Sequence, residues 1–130
     1  MSDRIMVTAA DMAELNLLRA YAPLRHELER ATVVSSSLVP ADVATMNSRV
    51  RYRDETDGAR RTVSIVYPVE ADVTKGKVSV LAPVGTALLG LSEGQSIEWD
   101  FPDGSRRRLK LEQVVHQPQR LANTPLPRAP

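Results

Sequence analysis

The chain has 130 residues, the length of one ordinary domain or of a small domain with an appendage, which is too short for a multidomain enzyme. Its hydrophobic content of 42% and charged content of 25% are typical of a globular protein, and its net charge of +1 excludes the strong positive field of a dedicated nucleic-acid-binding protein. Because no cysteine is present, disulfides, thiolate zinc sites and thiol nucleophiles are excluded. We recognise no signal peptide or membrane span and expect a cytoplasmic protein.

The first segment, residues 1–34, has the pattern of an antiparallel helical hairpin. Thr8 can cap a helix whose third residue is Asp11, and apolar residues then recur on one face to about residue 19. Pro23 suits the first turn of a second helix that runs to about residue 31. The predicted tip between the two helices contains Arg19, Tyr21 and Pro23.

Two further segments have the composition of connecting or terminal chain. Residues 35–48 contain a run of three serines followed by Pro40, which indicates a linker into a second domain. Residues 118–130 contain four of the nine prolines, so we expect a disordered tail there.

Between these segments, residues 49–117 predict a sheet domain. Val50 and Tyr52 alternate with arginines, and a turn signal at 54–58 leads into a second strand, which gives an antiparallel hairpin with one apolar face. A third strand at 77–81 ends at Pro83, and a short helix at 84–89 ends at Gly90. Two more strands flank a turn at 102–105. The expected fold class is α+β, an antiparallel sheet packed on one helix.

No motif for catalysis, cofactor binding or metal binding is recognisable in the chain. His26 and His116 are isolated from any carboxylate at metal-ligand spacing. The glycines at 85 and 90 match neither a phosphate-binding loop nor a dinucleotide-binding fingerprint, and the serines lack the context of a nucleophile elbow. We therefore expect no catalytic residues, no cofactor and no metal.

Arg49, Arg51 and Arg53 project from one face of the first predicted strand and form a candidate basic face. Two interpretations remain open. The arginines can line a solvated sheet face that nearby carboxylates neutralise, or they can contact an acidic protein surface or a nucleic-acid backbone. The chain contains only five aromatic residues (Trp 1, Tyr 3, Phe 1), so a platform for stacking bases is not expected.

The most distinctive stretch is residues 75–90, Lys-Gly-Lys-Val-Ser-Val-Leu-Ala-Pro-Val-Gly-Thr-Ala-Leu-Leu-Gly. Together with Glu-Ala-Asp at 70–72, Gly94 and Pro-Asp-Gly at 102–104, it closely resembles the C-terminal domain of the GreA and GreB transcript cleavage factors. The likeness spans roughly residues 50–117. The run upstream, residues 39–50, is similar to a short branch of the same family, the regulators of nucleoside diphosphate kinase.

This resemblance implies a fold and a partner. The fold is an N-terminal antiparallel coiled coil followed by a domain similar to the FK506-binding-protein fold. The partner is RNA polymerase, on which the C-terminal domain of Gre factors docks at the rim of the secondary channel. At the corner between the third strand and the helix we expect a docking edge, although the same residues could equally be core; it comprises Leu81, Ala82, Pro83, Val84 and Thr86.

Gre factors hold a catalytic magnesium ion with two acidic residues at the tip of the coiled coil. The corresponding tip here, residues 19–25, contains no carboxylate, and Asp11, Glu14, Glu27 and Glu29 lie along the arms instead. Because oxygen ligands must converge to bind Mg²⁺, we expect a non-enzymatic regulator that binds polymerase without cleaving transcripts. We also expect the protein to be a monomer.

Two other functions remain open. The chain could control nucleoside diphosphate kinase, either by direct contact or through transcription. Prolyl isomerisation is suggested by the fold similarity alone, and the single Phe101 and single Trp99 make an aromatic proline pocket hard to assemble.

Overall fold

A five-stranded β-sheet forms the centre of the computed structural model, which describes residues 5–123. In chain order the helices and strands are β1 (Met6–Thr8), α1 (Ala9–Leu15), α2 (Ala22–Glu29), β2 (Thr32–Val34), β3 (Arg49–Asp54), β4 (Arg60–Val66), β5 (Lys77–Ser79), α3 (Pro83–Leu88), β6 (Ser96–Asp100), β7 (Arg106–His116) and α4 (Pro118–Asn123). Short 3₁₀ turns occupy Asn16–Leu18, Pro68–Glu70 and Val73–Lys75. The central sheet has the strand order β5-β4-β3-β7-β6.

The sheet confirms the predicted hairpin and its apolar face. Strands β3 and β4 are antiparallel, with Val50 opposite Val63 and Tyr52 opposite Arg61. The residues of β3 alternate strictly between exposed arginines and buried side chains. The expectation of a wholly antiparallel sheet is wrong at one edge, because β5 pairs in parallel with β4. Two 3₁₀ turns between these strands carry the chain back so that β5 runs in the same direction as β4.

One hydrophobic core joins the inner face of the sheet, helix α3 and the N-terminal segment. Ala87 and Leu88 of α3 are fully buried among the apolar side chains of β3 and β7. Leu15 and Leu24, from the first two helices, lie in the same core. The structure is therefore of the α+β class, and the similarity to the FK506-binding-protein fold stays a prediction. Within residues 5–123, no helix combines the length and apolar character that spanning a membrane requires.

The N-terminal segment does not have the architecture expected of a coiled coil. Its two helices are present, but they have only 7 and 8 residues and lie between β1 and β2, which pair in parallel with Met6 opposite Thr32. The amide of Met6 also donates to the carbonyl of Gly90, at the end of α3. Helices this short are not stable without tertiary packing, so the segment packs on the sheet domain instead of projecting from it.

Part of the segment predicted to be a linker, residues 35–48, is buried from Val39 onward, although Pro40, Ala41 and Asn47 stay exposed. Val43, Ala44 and Met46 are buried, and the amide of Ala44 donates to the carbonyl of Leu91 at 2.9 Å. Sequence composition missed this role because short apolar stretches between polar residues have no period to detect.

The tail prediction is wrong for its first part. Residues 118–123 form helix α4, and residues 124–130, the rest of the predicted disordered tail, lie outside the described residues. Gln119 accepts a hydrogen bond from the hydroxyl of Thr45 at 2.7 Å, and Arg120 donates to the carbonyl of Ala41 at 2.7 Å. The proline at 118 starts this helix rather than preventing it, because proline is favoured in the first turn.

Gln117 joins the sheet to the buried segment before β3. Its side chain is 1% exposed, and its amide nitrogen donates to the carbonyls of Pro40 at 2.7 Å and Val43 at 2.9 Å.

We expect Gln117→Ala to lower the free energy of unfolding by about 1–3 kcal/mol, because two carbonyls lose their donor and a buried side chain is removed. Urea denaturation measures the change. The control is Gln113→Ala on the exposed side of β7, which should change stability by less than about 0.5 kcal/mol; equal losses in both variants would contradict the assignment.

Candidate protein-docking site

The corner between β5 and α3 is held by a dense set of main-chain hydrogen bonds. The amide of Val80 donates to the carbonyl of Val66 at 2.8 Å, which extends the pairing with β4 by one residue. The next two amides turn back on Ser79: Leu81 donates to its hydroxyl at 3.0 Å and Ala82 to its carbonyl at 2.9 Å. The chain therefore reverses within three residues and presents a fixed turn at the surface.

Helix α3 crosses this turn so closely that only glycine fits at residue 85. A Cβ atom added to Gly85 would lie 2.1 Å from the carbonyl oxygen of Ser79. This distance is far shorter than any van der Waals separation. Because the helix backbone fixes the Cβ atom and the oxygen belongs to the main chain, only a movement of the whole helix could relieve the clash. Gly85 thus fixes the distance between α3 and the corner.

Four of the five residues of the expected docking edge are accessible. Leu81, Ala82, Pro83 and Val84 are half-buried, and the side chains of Leu81 and Val84 also pack against the core. A partner could therefore contact apolar atoms that the protein already holds in place.

Thr86 does not belong to this edge, and its inclusion was wrong. It is 0% exposed, and its hydroxyl donates to the carbonyls of Val80 at 2.5 Å and Ala82 at 3.1 Å. Because it lies in the second turn of α3, on the side facing the sheet, it positions the corner from beneath instead of offering atoms to a partner.

A cavity of about 240 Å³ opens beside the corner and shares Val84 with it. Its lining combines apolar and charged side chains, namely Tyr52, Asp54, Arg61, Val84, Phe101, Asp103, Arg107 and Leu109. The strands β3 and β7 provide the floor, and the turn after β6 provides one wall. Apolar surface and a fixed pair of charges therefore lie next to the expected docking edge.

Two of the charged side chains that line this cavity, Asp54 and Arg107, form a partly buried ion pair. Asp54 is 7% exposed and receives a hydrogen bond from the Arg107 guanidinium at 2.7 Å and from the Thr56 amide at 2.9 Å. Burial alone would raise the pKa of Asp54, but these hydrogen bonds outweigh it and hold the pKa below its usual value. The guanidinium also lies over the ring of Phe101, 5.5 Å from its centroid.

The tip of the N-terminal segment is a tight turn. Arg19 donates to the side-chain oxygen of Asn16 at 2.6 Å, and Arg25 donates to the carbonyl of Arg19 at 3.1 Å. Tyr21 is 36% exposed, whereas Pro23 is half-buried and lines a second cavity of about 360 Å³ between α2 and β6. Since α2 also contacts α3, the tip lies against the sheet domain.

The acidic residues on the arms are not arranged for metal binding. Asp11 accepts a hydrogen bond from the amide of Met46 at 3.1 Å, and Glu27 forms a bidentate pair with Arg30. Burial raises the pKa of Asp11, although hydrogen bonds from Met46 and Thr8 oppose this effect. Within residues 5–123, no group of three or more His, Cys, Asp or Glu side chains could hold a metal ion.

The three arginines of the expected basic face lie together on the outer, solvent-facing side of β3. Arg51 approaches Glu112 at 3.5 Å. Arg49 and Arg53 have no carboxylate within 4.0 Å among residues 5–123. This face is on the other side of the sheet from α3, so it does not adjoin the docking edge.

Sequence reasoning missed the ion pair between Asp54 and Arg107. One signal was available: Val50, Tyr52 and Asp54 share the apolar phase of β3, which places a carboxylate on the buried face. A buried carboxylate requires a hydrogen-bonding or charged partner. The identity of that partner, 53 residues away, depends on the pairing of β3 with β7.

Residues 39–115 match the family model described as transcription elongation factor GreA/GreB, C-terminal domain. The matched region contains the corner, the cavity beside it and the basic face.

Individual relatives extend this similarity. Over 96 residues the chain is 44% identical to a protein of Escherichia coli (strain K12) named regulator of nucleoside diphosphate kinase, which covers 74% of this chain and 71% of the relative. It is 30% identical over 105 residues to transcription elongation factor GreA of Christiangramia forsetii, covering 81% of this chain and 66% of the relative. Among solved structures, a prokaryotic transcription elongation factor GreA/GreB from Nitrosomonas europaea is 38% identical with a TM-score of 0.69, covering 88% of this chain and 100% of that chain.

The pKa of Asp54 predicts how stability depends on pH. Since the folded-state pKa lies below the unfolded value, the stabilisation is complete above about pH 5 and is lost as the pH falls through the folded-state pKa. In Asp54→Asn this loss is absent, so the free energy of unfolding should be lower than wild type at pH 7 but should fall less steeply below about pH 4. Urea denaturation at a series of pH values measures both. The control Asp100→Asn, at a carboxylate 81% exposed, should retain the wild-type slope; an unchanged slope in Asp54→Asn would contradict the role of this pair.

Proposed function

The chain belongs to the GreA/GreB family of transcription elongation factors, as a short member, and from this membership we propose that it is a non-catalytic regulator of transcription. It binds RNA polymerase at the rim of the secondary channel through the corner formed by Leu81, Ala82, Pro83 and Val84, and it does not cleave transcripts. The family match over residues 39–115, which contains this corner, is the observation that carries the proposal.

The physical character of the corner supports its use as a docking edge. Its backbone is fixed by hydrogen bonds to Ser79 and by the close crossing at Gly85, so a partner does not have to order it on binding. Its four accessible residues are apolar, and Asp54 and Arg107 of the adjacent cavity are already paired with each other. A partner therefore gains apolar burial without having to neutralise Asp54 or Arg107.

The absence of cleavage is proposed from the carboxylates. Residues 19–25, at the tip, include two arginines and no Asp or Glu. On the arms, Asp11 accepts the Met46 amide, and Glu27 is bound to Arg30. Mg²⁺ requires several oxygen ligands that converge on one point, and these acids are engaged in holding the fold.

The docking edge can be tested with Pro83→Glu. We expect this variant to stay folded, because Pro83 is only half-buried, and to bind core RNA polymerase roughly 10- to 100-fold more weakly, because an apolar contact is replaced by a charge that binding would bury. Circular dichroism checks folding, and fluorescence anisotropy with labelled protein measures affinity. Leu38→Glu, which makes the same change of character at a side chain 75% exposed and outside the corner, is the matched control and should bind like wild type.

Tyr21→Ala distinguishes the corner from the tip. It should alter the effect on transcription more than the affinity. If Pro83→Glu binds like wild type while Tyr21→Ala loses binding, the N-terminal segment is the anchor and the assignment of the corner is wrong.

Transcript cleavage is tested directly on backtracked elongation complexes. Adding the protein with Mg²⁺ should release no more short RNA than polymerase releases alone, because the tip lacks carboxylates to hold the ion. A GreA factor in a parallel reaction shows that the complexes can be cleaved. Stimulated cleavage by this chain would show that carboxylates of the arms converge when the protein is bound.

Control of nucleoside diphosphate kinase is the second candidate function, and the name of the relative that is 44% identical favours it. In the binding assay above, purified kinase replaces polymerase as the second partner. Binding of kinase without binding of polymerase would favour this function; binding of polymerase alone would favour the first and leave kinase control to act through transcription.

A further inference from the structure

The outer face of the sheet places like charges directly opposite one another. Arg53 of β3 faces Arg60 of β4 on one side and Lys110 of β7 on the other. The three cations thus form one row across three adjacent strands, with neighbouring strands about 4.8 Å apart. Arg49 and Arg51 continue the positive charge along β3. We name these five residues the basic patch.

The fold leaves most of this charge unneutralised. Glu112 lies within the patch and pairs with Arg60 at 3.0 Å and Arg51 at 3.5 Å. In the part of the chain that the structure describes, Arg49 and Arg53 lack any carboxylate within 4.0 Å, so five cations share one anion there. Like charges directly opposite across strands destabilise a sheet.

At its other end the same face is balanced. Arg106 lies 3.6 Å from Glu98 and 3.8 Å from Asp100, and Arg108 lies 3.1 Å from Glu55. The contrast between the two ends shows that exposed arginines on this sheet can be paired. The excess of positive charge is therefore specific to the basic patch, and it favours an anionic partner there.

The surroundings of the patch decide which anionic partner fits. Tyr52 and Trp99, the aromatic residues of the described strands, lie in or against the core and offer no stacking surface on the outer face. Single-stranded nucleic acid is therefore disfavoured, since its binding depends on stacked bases as well as charge. Along β3 the arginines repeat every second residue, about 6.7 Å apart, which equals the repeat of side chains on one face of an extended peptide.

From this arrangement we propose that the basic patch binds an extended acidic segment of a partner protein, with carboxylates at alternate positions. The patch lies on the opposite side of the sheet from α3 and contains none of the residues of the docking edge. A protein bound at the corner therefore leaves it accessible to a second chain or to another part of the same partner. This proposal does not depend on the proposed function.

The test uses a synthetic 12-residue peptide with glutamate at alternate positions, titrated into the isotopically labelled full chain at low salt. NMR should show shifts concentrated in β3, β4 and the Lys110 region of β7. The variant Arg49→Gln/Arg53→Gln should bind this peptide roughly 3- to 10-fold more weakly, as expected for two surface charge contacts. The matched control Arg106→Gln/Arg108→Gln removes the same net charge from the balanced end of the face and should bind within about twofold of wild type.

A second titration uses a single-stranded oligonucleotide with the same number of charges. Stronger binding of the oligonucleotide than of the peptide would overturn the choice of an acidic protein segment. Absence of peptide-induced shifts in β3, or equal weakening in the two double variants, would overturn the patch itself. The affinity of Pro83→Glu for polymerase tests the corner and not the basic patch. Either proposal can therefore fail while the other holds.

Discussion

Three distant parts of this chain meet at Gly90, and the rest of the fold depends on that meeting. Its amide donates to the carbonyl of Ala44, and its carbonyl accepts the amide of Met6. The residue has a φ of +82°, and a Cβ atom there would lie 2.7 Å from the Cβ of Ile5. A side chain is therefore excluded both by backbone conformation and by space. This junction fastens the N-terminal strand and the segment before β3 to the end of α3.

The junction explains how such short helices persist. Helices of 7 and 8 residues do not hold their shape in water unless they bury an apolar face. Leu15, Leu24 and Leu28 bury that face in the core that the sheet and α3 provide. Because the N-terminal helices need the sheet domain for their stability, they lie against that domain. This chain therefore differs from a protein whose long coiled coil extends away from its globular domain.

Strand β3 divides the charges of the protein between two environments. On its inner face Asp54 is almost fully buried and is matched by one guanidinium at 2.7 Å, so the charge contributes to the fold. On its outer face the arginines remain in water, where repulsion is screened and a surplus of charge is tolerated. The same alternation that hides Val50 and Tyr52 therefore creates both the cavity beside the corner and the basic patch. The proposed polymerase contact and the proposed acidic contact therefore lie on opposite sides of the sheet.

The sequence by itself determined the α+β class, the β3–β4 hairpin and the family, because these depend on local periodicity and on a contiguous motif at residues 75–90. It also placed the corner, since Pro83 and Gly90 mark where α3 begins and where the chain leaves it. Only the tertiary structure decided that Thr86 faces inward, that Val43, Ala44 and Met46 are buried and that the chain continues into α4 after Gln117. It alone paired Asp54 with Arg107 and aligned Arg53 with Arg60 and Lys110. These features depend on contacts between residues far apart in the chain or on strand register. Local sequence periodicity contains no information about either one.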